Sequence, residues 1–274
     1  MVLELRWLQI ARLQETIMRM TWVHLSLLLA FLICSCSKPE TETEKPASPS
    51  ASTSNTLSEQ EKSEGWKLLF DGQSTAGWRG AHRDSFPAEG WIVENGALIV
   101  LASGGGESQH GGDIVTIDEY SNFDLKLEFK LTEGANSGIK YFVTEKEKPN
   151  GSAIGLEYQI LDDERHPDAK LGNHEGSRTV ASLYDLIKAE NKTVQPIGEL
   201  NEARIVSNGR HVEHWLNGSK VLEYERGSEA FRKLVAESKY KEWEDFGEAE
   251  QGHILLQDHG NRVAFRNIKI RVLD

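Results

Sequence analysis

Two short runs of this chain combine acid, amide and imidazole side chains at strand spacing: Gly155-Leu-Glu-Tyr-Gln-Ile-Leu-Asp162 and His253-Ile-Leu-Leu-Gln-Asp-His259. Side chains in a strand alternate between faces. Glu157, Gln159 and Leu161 therefore oppose Leu156, Tyr158 and Ile160, and Asp162 joins the Tyr158 face unless a bulge re-aims it. In the second run His253, Leu255, Gln257 and His259 share one face, and Ile254, Leu256 and Asp258 the other. A carboxylate and an imidazole on rigid edges, flanked by amide donors and acceptors, suit acid–base work on a polyhydroxylated substrate. Asn136-Ser-Gly138 reads as a tight turn that could hold a binding amide, or as simple loop chemistry. Arg204 follows Glu199 and Asn201, and His211, Glu213 and Trp215 share a face that an ordinary cross-strand charge pair would also explain. His214, spaced with Val212 and Leu216, reads as a core histidine, and His166 and His174 lie in a Gly/Pro-rich loop.

The elements that must position these groups are strands. Phe123 to Leu131 alternates cleanly, with Phe123, Leu125, Leu127, Phe129 and Leu131 inward. Asn95-Gly96, Asn208-Gly209 and Asn217-Gly218 mark hairpin turns, and Gly260-Asn261 is read as the turn joining the last two strands. Only Ser228 to Ser238 has helical spacing, through Phe231, Leu234 and Val235. Many short strands with regular turns predict an all-β sandwich or jelly roll with one short helix.

Residues 1–36 read as an export address rather than a fold. Arg19 precedes an apolar run from Trp22 to Ile33, about twelve residues where a bilayer span needs about twenty. Ile33-Cys34-Ser35-Cys36 ends it, with an aliphatic and a small residue correctly spaced before Cys36, the expected lipidation site; Met18 or Met20 is a better start for such a signal. The only two cysteines sit here, so the exported domain has neither a disulfide nor a thiol nucleophile. Residues 37–63 are rich in Ser, Thr, Pro and Glu and read as a disordered tether, spanning on the order of 28 Å as a coil. Residues 64–274 make one domain. A formal net charge of −12 disfavours nucleic acid and anionic lipid, so membrane contact is expected only through the lipid anchor, on the periplasmic or outer side. A neutral carbohydrate partner suits that charge.

From Gly65 onward the chain resembles a large bacterial family of exported proteins named for 3-keto-disaccharide hydrolase activity. The matching blocks run in order: Gly65-Trp-Lys-Leu-Leu-Phe-Asp-Gly, Trp91-Ile-Val-Glu-Asn-Gly-Ala-Leu, Asn136-Ser-Gly-Ile, Glu157-Tyr-Gln-Ile-Leu-Asp, Ser182-Leu-Tyr-Asp-Leu-Ile, His214-Trp-Leu-Asn-Gly and Leu256-Gln-Asp-His-Gly. Leu200 departs from the pattern, where the family usually carries Trp. The resemblance implies a concanavalin A-like jelly roll with its site on a concave sheet face. It also implies cleavage of a 3-keto-glycoside: a base removes the C2 proton, the C1 aglycone is expelled, and water completes a net hydrolysis. Glu157 and His259 are the candidate bases, and Arg204 the candidate electrophile unless a divalent metal of unspecified identity on Glu157, Asp162 and His259 takes that part. Asn136, Gln159, Trp215, Gln257 and Asp258 are the candidate substrate contacts. The alternatives are a retaining glucanase working through two carboxylates about 5 Å apart, and a non-catalytic sugar-binding sandwich.

Overall fold

A computed structural model describes residues 54–104, 106–146 and 153–274. Cys36 and the export segment lie outside the described residues. Among the described residues thirteen strands form two antiparallel sheets, as the alternation predicts. In chain order they are β1 (Lys67–Leu68), β2 (Trp78–Gly80), β3 (Trp91–Glu94), β4 (Ala97–Val100), β5 (Ile114–Thr116), β6 (Phe123–Leu131) and β7 (Asn136–Val143). There follow β8 (Leu156–Leu161), β9 (Leu200–Asn208), β10 (His211–Leu216), β11 (Ser219–Glu225), β12 (His253–Leu256) and β13 (Val263–Val272). One sheet runs β11-β10-β9-β6-β13-β4-β3 with β1 also on β13; the other runs β2-β5-β12-β7-β8. Phe123, Leu125, Leu127 and Phe129 of β6 pack into one core with Ile139, Tyr141, Tyr158, Ile160, Ile254 and Leu256 of the second sheet.

Local chemistry explains most joints. Asn95 and Gly96 both take positive φ between β3 and β4, and Asn217 and Gly218 do so between β10 and β11. The β9–β10 turn is Gly209-Arg210, one residue later than the Asn208-Gly209 reading, because Asn208 pairs with His211. The expected helix is α2 (Glu229–Ala236), capped by the Ser228 hydroxyl accepting from the Phe231 amide.

Three expectations need correction. Asn136-Ser-Gly138 is not a turn: it opens β7 and pairs with β8. Gly260-Asn261 does not close a hairpin: β12 pairs with β5 and β7, whereas β13 pairs with β4 and β6 in the other sheet. The segment after Leu256 thus crosses the sandwich edge, which carries Gln257 and His259 to the end of the five-stranded sheet. The end of the supposed tether is also built into the domain. Residues Glu59–Ser63 form α1 behind a Ser58–Glu61 capping box. Asn55 exchanges hydrogen bonds with Asn267 and donates to the Gly96 carbonyl at 2.8 Å, and Glu61 pairs with Lys269. Composition alone missed these specific polar anchors.

Candidate active site

The outer face of the five-stranded sheet carries Glu157, Gln159 and Lys140. On β7 and β8 the register pairs Asn136 with Leu161, Gly138 with Gln159, and Lys140 with Glu157, so these six share a face. Lys140 also pairs with Leu255, and Leu255 with Val115, which brings β12 and β5 onto that face. The predicted grouping of Glu157 with Gln159, and of Gln257 with this edge, is what the structure brings together. The free edge of β8 is extended by residues 181–184: the Tyr184 amide donates to the Glu157 carbonyl at 3.0 Å and the Ala181 amide to that of Gln159 at 2.8 Å.

Glu157 is 4% exposed. Its carboxylate has room because residue 138 is glycine; a Cβ there would lie 2.4 Å from Glu157 Oε1. Burial pushes the Glu157 carboxyl up to about 7, with Glu107 and Asp113 adding to the rise while Lys140 and Lys239 pull against it. Lys140 Nζ sits 3.4 Å from Asp113 Oδ2, 3.0 Å from the Ala153 carbonyl and 3.9 Å from Glu107 Oε1. Burial works against its charge, but Asp113, Glu157 and Glu107 outweigh that and hold its pKa above the ordinary value. Three carboxylates thus face two ammonium groups. Burial raises Asp113 as well, so both Glu157 and Asp113 are held above the ordinary carboxylate range.

Three buried polar atoms at this place have no hydrogen-bond partner: Gln159 Oε1, Gln257 Oε1 and His259 Nδ1. Each amide uses its nitrogen within the protein, Gln257 Nε2 donating to Glu107 Oε1 at 3.2 Å and Gln159 Nε2 to Asn136 Oδ1 at 3.4 Å. Unmet buried acceptors are costly unless a ligand fills them. His259 also meets His166 edge-on, ring centroids 5.9 Å apart.

Several predicted site residues have other duties. Arg204 lies on the outer face of the eight-stranded sheet, where Nε and Nη2 donate to the two oxygens of Asp124 at 2.7 and 2.8 Å. Trp215 is on that same face, with the Arg204 guanidinium 5.2 Å from its ring centre. Leu200 begins β9 on that face too, beside Lys130, Ala264 and Arg266, so its departure from Trp does not touch the cluster around Glu157. Asp162, just past β8, accepts from the Gly134 and Glu164 amides and faces Arg165, so its carboxylate shapes a turn. Asp258 is fully buried and accepts from the Gly111 and Gly112 amides at 3.1 and 3.0 Å, clamping the glycine-rich loop. Asn136, on the same face as Glu157, accepts from Gln159 Nε2. His214 is the core histidine expected: Nδ1 donates to the Ala181 carbonyl and Nε2 accepts from the Tyr141 hydroxyl, and burial pushes it down to about 4.

Glu157, Asp162 and His259 do not converge as a metal site. Among the described residues, the one group of three acid or imidazole side chains with ligand atoms within 4.8 Å of one another is His211, Glu213 and Glu223. That group sits on the opposite sheet with the Lys220 ammonium 3.3 Å from Glu213 and 2.6 Å from Glu223. The predicted donor set does not fit a metal.

Sequence reasoning missed Lys140, Asp113, Glu107 and Lys239. Lys140 had a visible signal, a lone lysine within Ile139-Lys-Tyr-Phe-Val143, a strand buried throughout. Lys239 follows α2; its ammonium lies 4.2 Å from the Tyr184 ring centre and 5.1 Å from that of Tyr240, and its amide donates to Asp185 Oδ2 at 2.8 Å.

Comparison with known proteins agrees with this fold. Residues 65–271 match the model of the 3-keto-alpha-glucoside-1,2-lyase-like domain. A 3-keto-disaccharide hydrolase of Bacteroides thetaiotaomicron is 38% identical over 248 residues, spanning 83% of this chain and 85% of that protein. A crystal structure from Parabacteroides distasonis, assigned as a glycosyl hydrolase, superposes with a TM-score of 0.71 at 34% identity over 81% of this chain and all of that one. A second from the same organism gives 0.56 at 30% identity over 76% of this chain and 99% of that one. This chain belongs to the family of 3-keto-alpha-glucoside-1,2-lyase-like domains.

Proposed function

We propose that this protein cleaves the glycosidic bond of 3-keto-glycosides, with Glu157 as the base that removes the C2 proton. The observation that carries the reading is a buried carboxyl pushed up to about 7 on a face with three unmatched polar atoms. A base with a pKa near the working pH combines enough ionised form with enough proton affinity. The ketone at C3 makes the C2 hydrogen acidic, because the electron pair left on C2 delocalises onto the ketone oxygen. Expulsion of the C1 oxygen with its aglycone leaves a C1=C2 double bond conjugated with the ketone, and addition of water across it completes a net hydrolysis. Gln159 Oε1 and Gln257 Oε1 accept from sugar hydroxyls, and His259 Nδ1 gives the site a third polar contact.

The family membership supports this reading, and the relative from Bacteroides thetaiotaomicron bears the corresponding name. A retaining glucanase built on Glu157 and Asp162 lacks support, since Gln159 stands between them in the run and Asp162 is bound to Gly134 and Arg165. The expected export and lipid attachment at Cys36 complete the proposal, with the domain facing away from the membrane on its tether. Incubating the protein with a chromogenic 3-keto-glucoside and with the matching unoxidised glucoside tests the substrate. Release from the keto sugar alone is the expected result; release from the plain glucoside would require the glucanase reading, and release from neither would leave a binding module.

A further inference from the structure

We propose that Lys239 is the electrophile of this site, its ammonium donating a hydrogen bond to the C3 ketone oxygen while Glu157 takes the C2 proton. The inference rests on the keto-glycoside reaction proposed above and assigns the part that Arg204 cannot play from the other sheet.

The cations near Glu157 differ in their freedom. Lys140 is 4% exposed and bonded to Asp113 and the Ala153 carbonyl, with Glu107 at 3.9 Å. Arg178 is held by Asp185 and Asp168, each at 2.7 Å. Both ammonium and guanidinium are thus already neutralised by carboxylates. Lys239 forms no ion pair within 4.0 Å among the described residues, and its side chain reaches solvent. It is nonetheless positioned. Its backbone amide is tied to Asp185, and its ammonium lies over Tyr184, the residue bonded through its amide to the Glu157 carbonyl. Tyr184 is fixed in turn, its hydroxyl donating to Asp168 Oδ2 at 2.8 Å and the Arg178 guanidinium lying 5.1 Å from its ring centre. Tyr240, the second ring under the ammonium, stacks on Phe246 with centroids 3.9 Å apart. Aromatic faces attract an ammonium without neutralising it or consuming its donors. The result is a cation held over two rings, one of them tied through its amide to the strand that carries Glu157, and able to donate all three hydrogens to a ligand.

The electron count is simple. The C2–H pair becomes the C2=C3 bond, the proton goes to Glu157, and the carbonyl π pair moves onto the C3 oxygen, where Lys239 meets the growing charge. A donor aimed at such an oxygen contributes roughly 10²–10³-fold in rate.

The test separates enolisation from cleavage by using a 3-keto sugar with hydrogen in place of the C1 aglycone, which can form the enolate but has nothing to expel. Deuterium uptake at C2 in D2O is followed by NMR for wild type, Lys239→Met and Lys239→Arg, with thermal melts and ligand titrations as controls for folding and binding. Expected is exchange in wild type, a loss of about 100-fold or more at saturation in Lys239→Met, and partial recovery in Lys239→Arg. Exchange by folded Lys239→Met at the wild-type rate would overturn the role. So would an unchanged plateau reached at higher pH, since Lys239 would then act only through the charge on Glu157. No exchange in wild type would remove the keto-glycoside reading itself, and this role with it.

Discussion

The outer faces of the two sheets are both polar and differ in how far their polar groups are matched. On the eight-stranded sheet the charged groups are paired, Asp124 taking Arg204 through both oxygens and Arg271 at 3.2 Å and Glu128 taking Arg266 at 2.5 Å, with Arg271 Nε the one buried polar atom of these groups left without a partner. On the five-stranded sheet three carboxylates crowd two ammonium groups, and two amide oxygens and a ring nitrogen are left over. A polar face built for stability satisfies its own groups, whereas one built for chemistry keeps some unsatisfied for a ligand. Polarity alone does not distinguish them; the unmatched remainder does.

The comparison breaks most sharply at Glu157. Glu157→Gln keeps the shape and removes the base, so turnover of a 3-keto-glucoside should fall by roughly 10²–10⁴-fold while the protein stays folded. Stability should move the other way. A carboxyl whose folded pKa is raised favours folding below its unfolded value, and that contribution is lost as pH rises through the folded value, here from about 4.5 to about 7. Glu157→Gln should therefore gain on wild type across that window, by on the order of 3 kcal/mol in denaturant melts at pH 8 relative to pH 4.

Gly138→Ala comes next. Its methyl group would meet the Glu157 carboxylate, the far end of a movable side chain, so activity should drop by about 10–100-fold with a stability change within about 1 kcal/mol. Steady-state rates beside a thermal melt would separate the two effects. Gln257→Leu removes one free acceptor together with its bond to Glu107 and should raise KM for the keto sugar by about tenfold. The smallest effect belongs to the other face: Trp215→Ala should leave kcat/KM within about twofold and register only as a modest loss of melting temperature. A large catalytic loss there would erase the distinction between the faces.

Period-two alternation was enough to read the sandwich, because Phe123, Leu125, Leu127 and Phe129 report a buried face directly. It also grouped Glu157 with Gln159. What it could not supply was the face on which Arg204 and Trp215 emerge, since alternation assigns residues to the same side of a strand but not to a side of the sandwich. Nor could it find Lys239, Glu107 or Asp113, which loops bring in from distant positions. Asp162 and Asp258 illustrate another ambiguity. Both belong to polar runs, yet their carboxylates are consumed by backbone amides of nearby turns, a use that no spacing rule separates from catalysis.

The most direct test is the pH dependence of kcat/KM for a chromogenic 3-keto-glucoside, measured in wild type and in Glu157→Gln. The account predicts a wild-type rate that rises about tenfold per pH unit and levels near pH 7, with that inflection absent from the residual activity of the variant. An inflection near 7 that survives in Glu157→Gln, or a wild-type profile flat from pH 5 to 8, would contradict it.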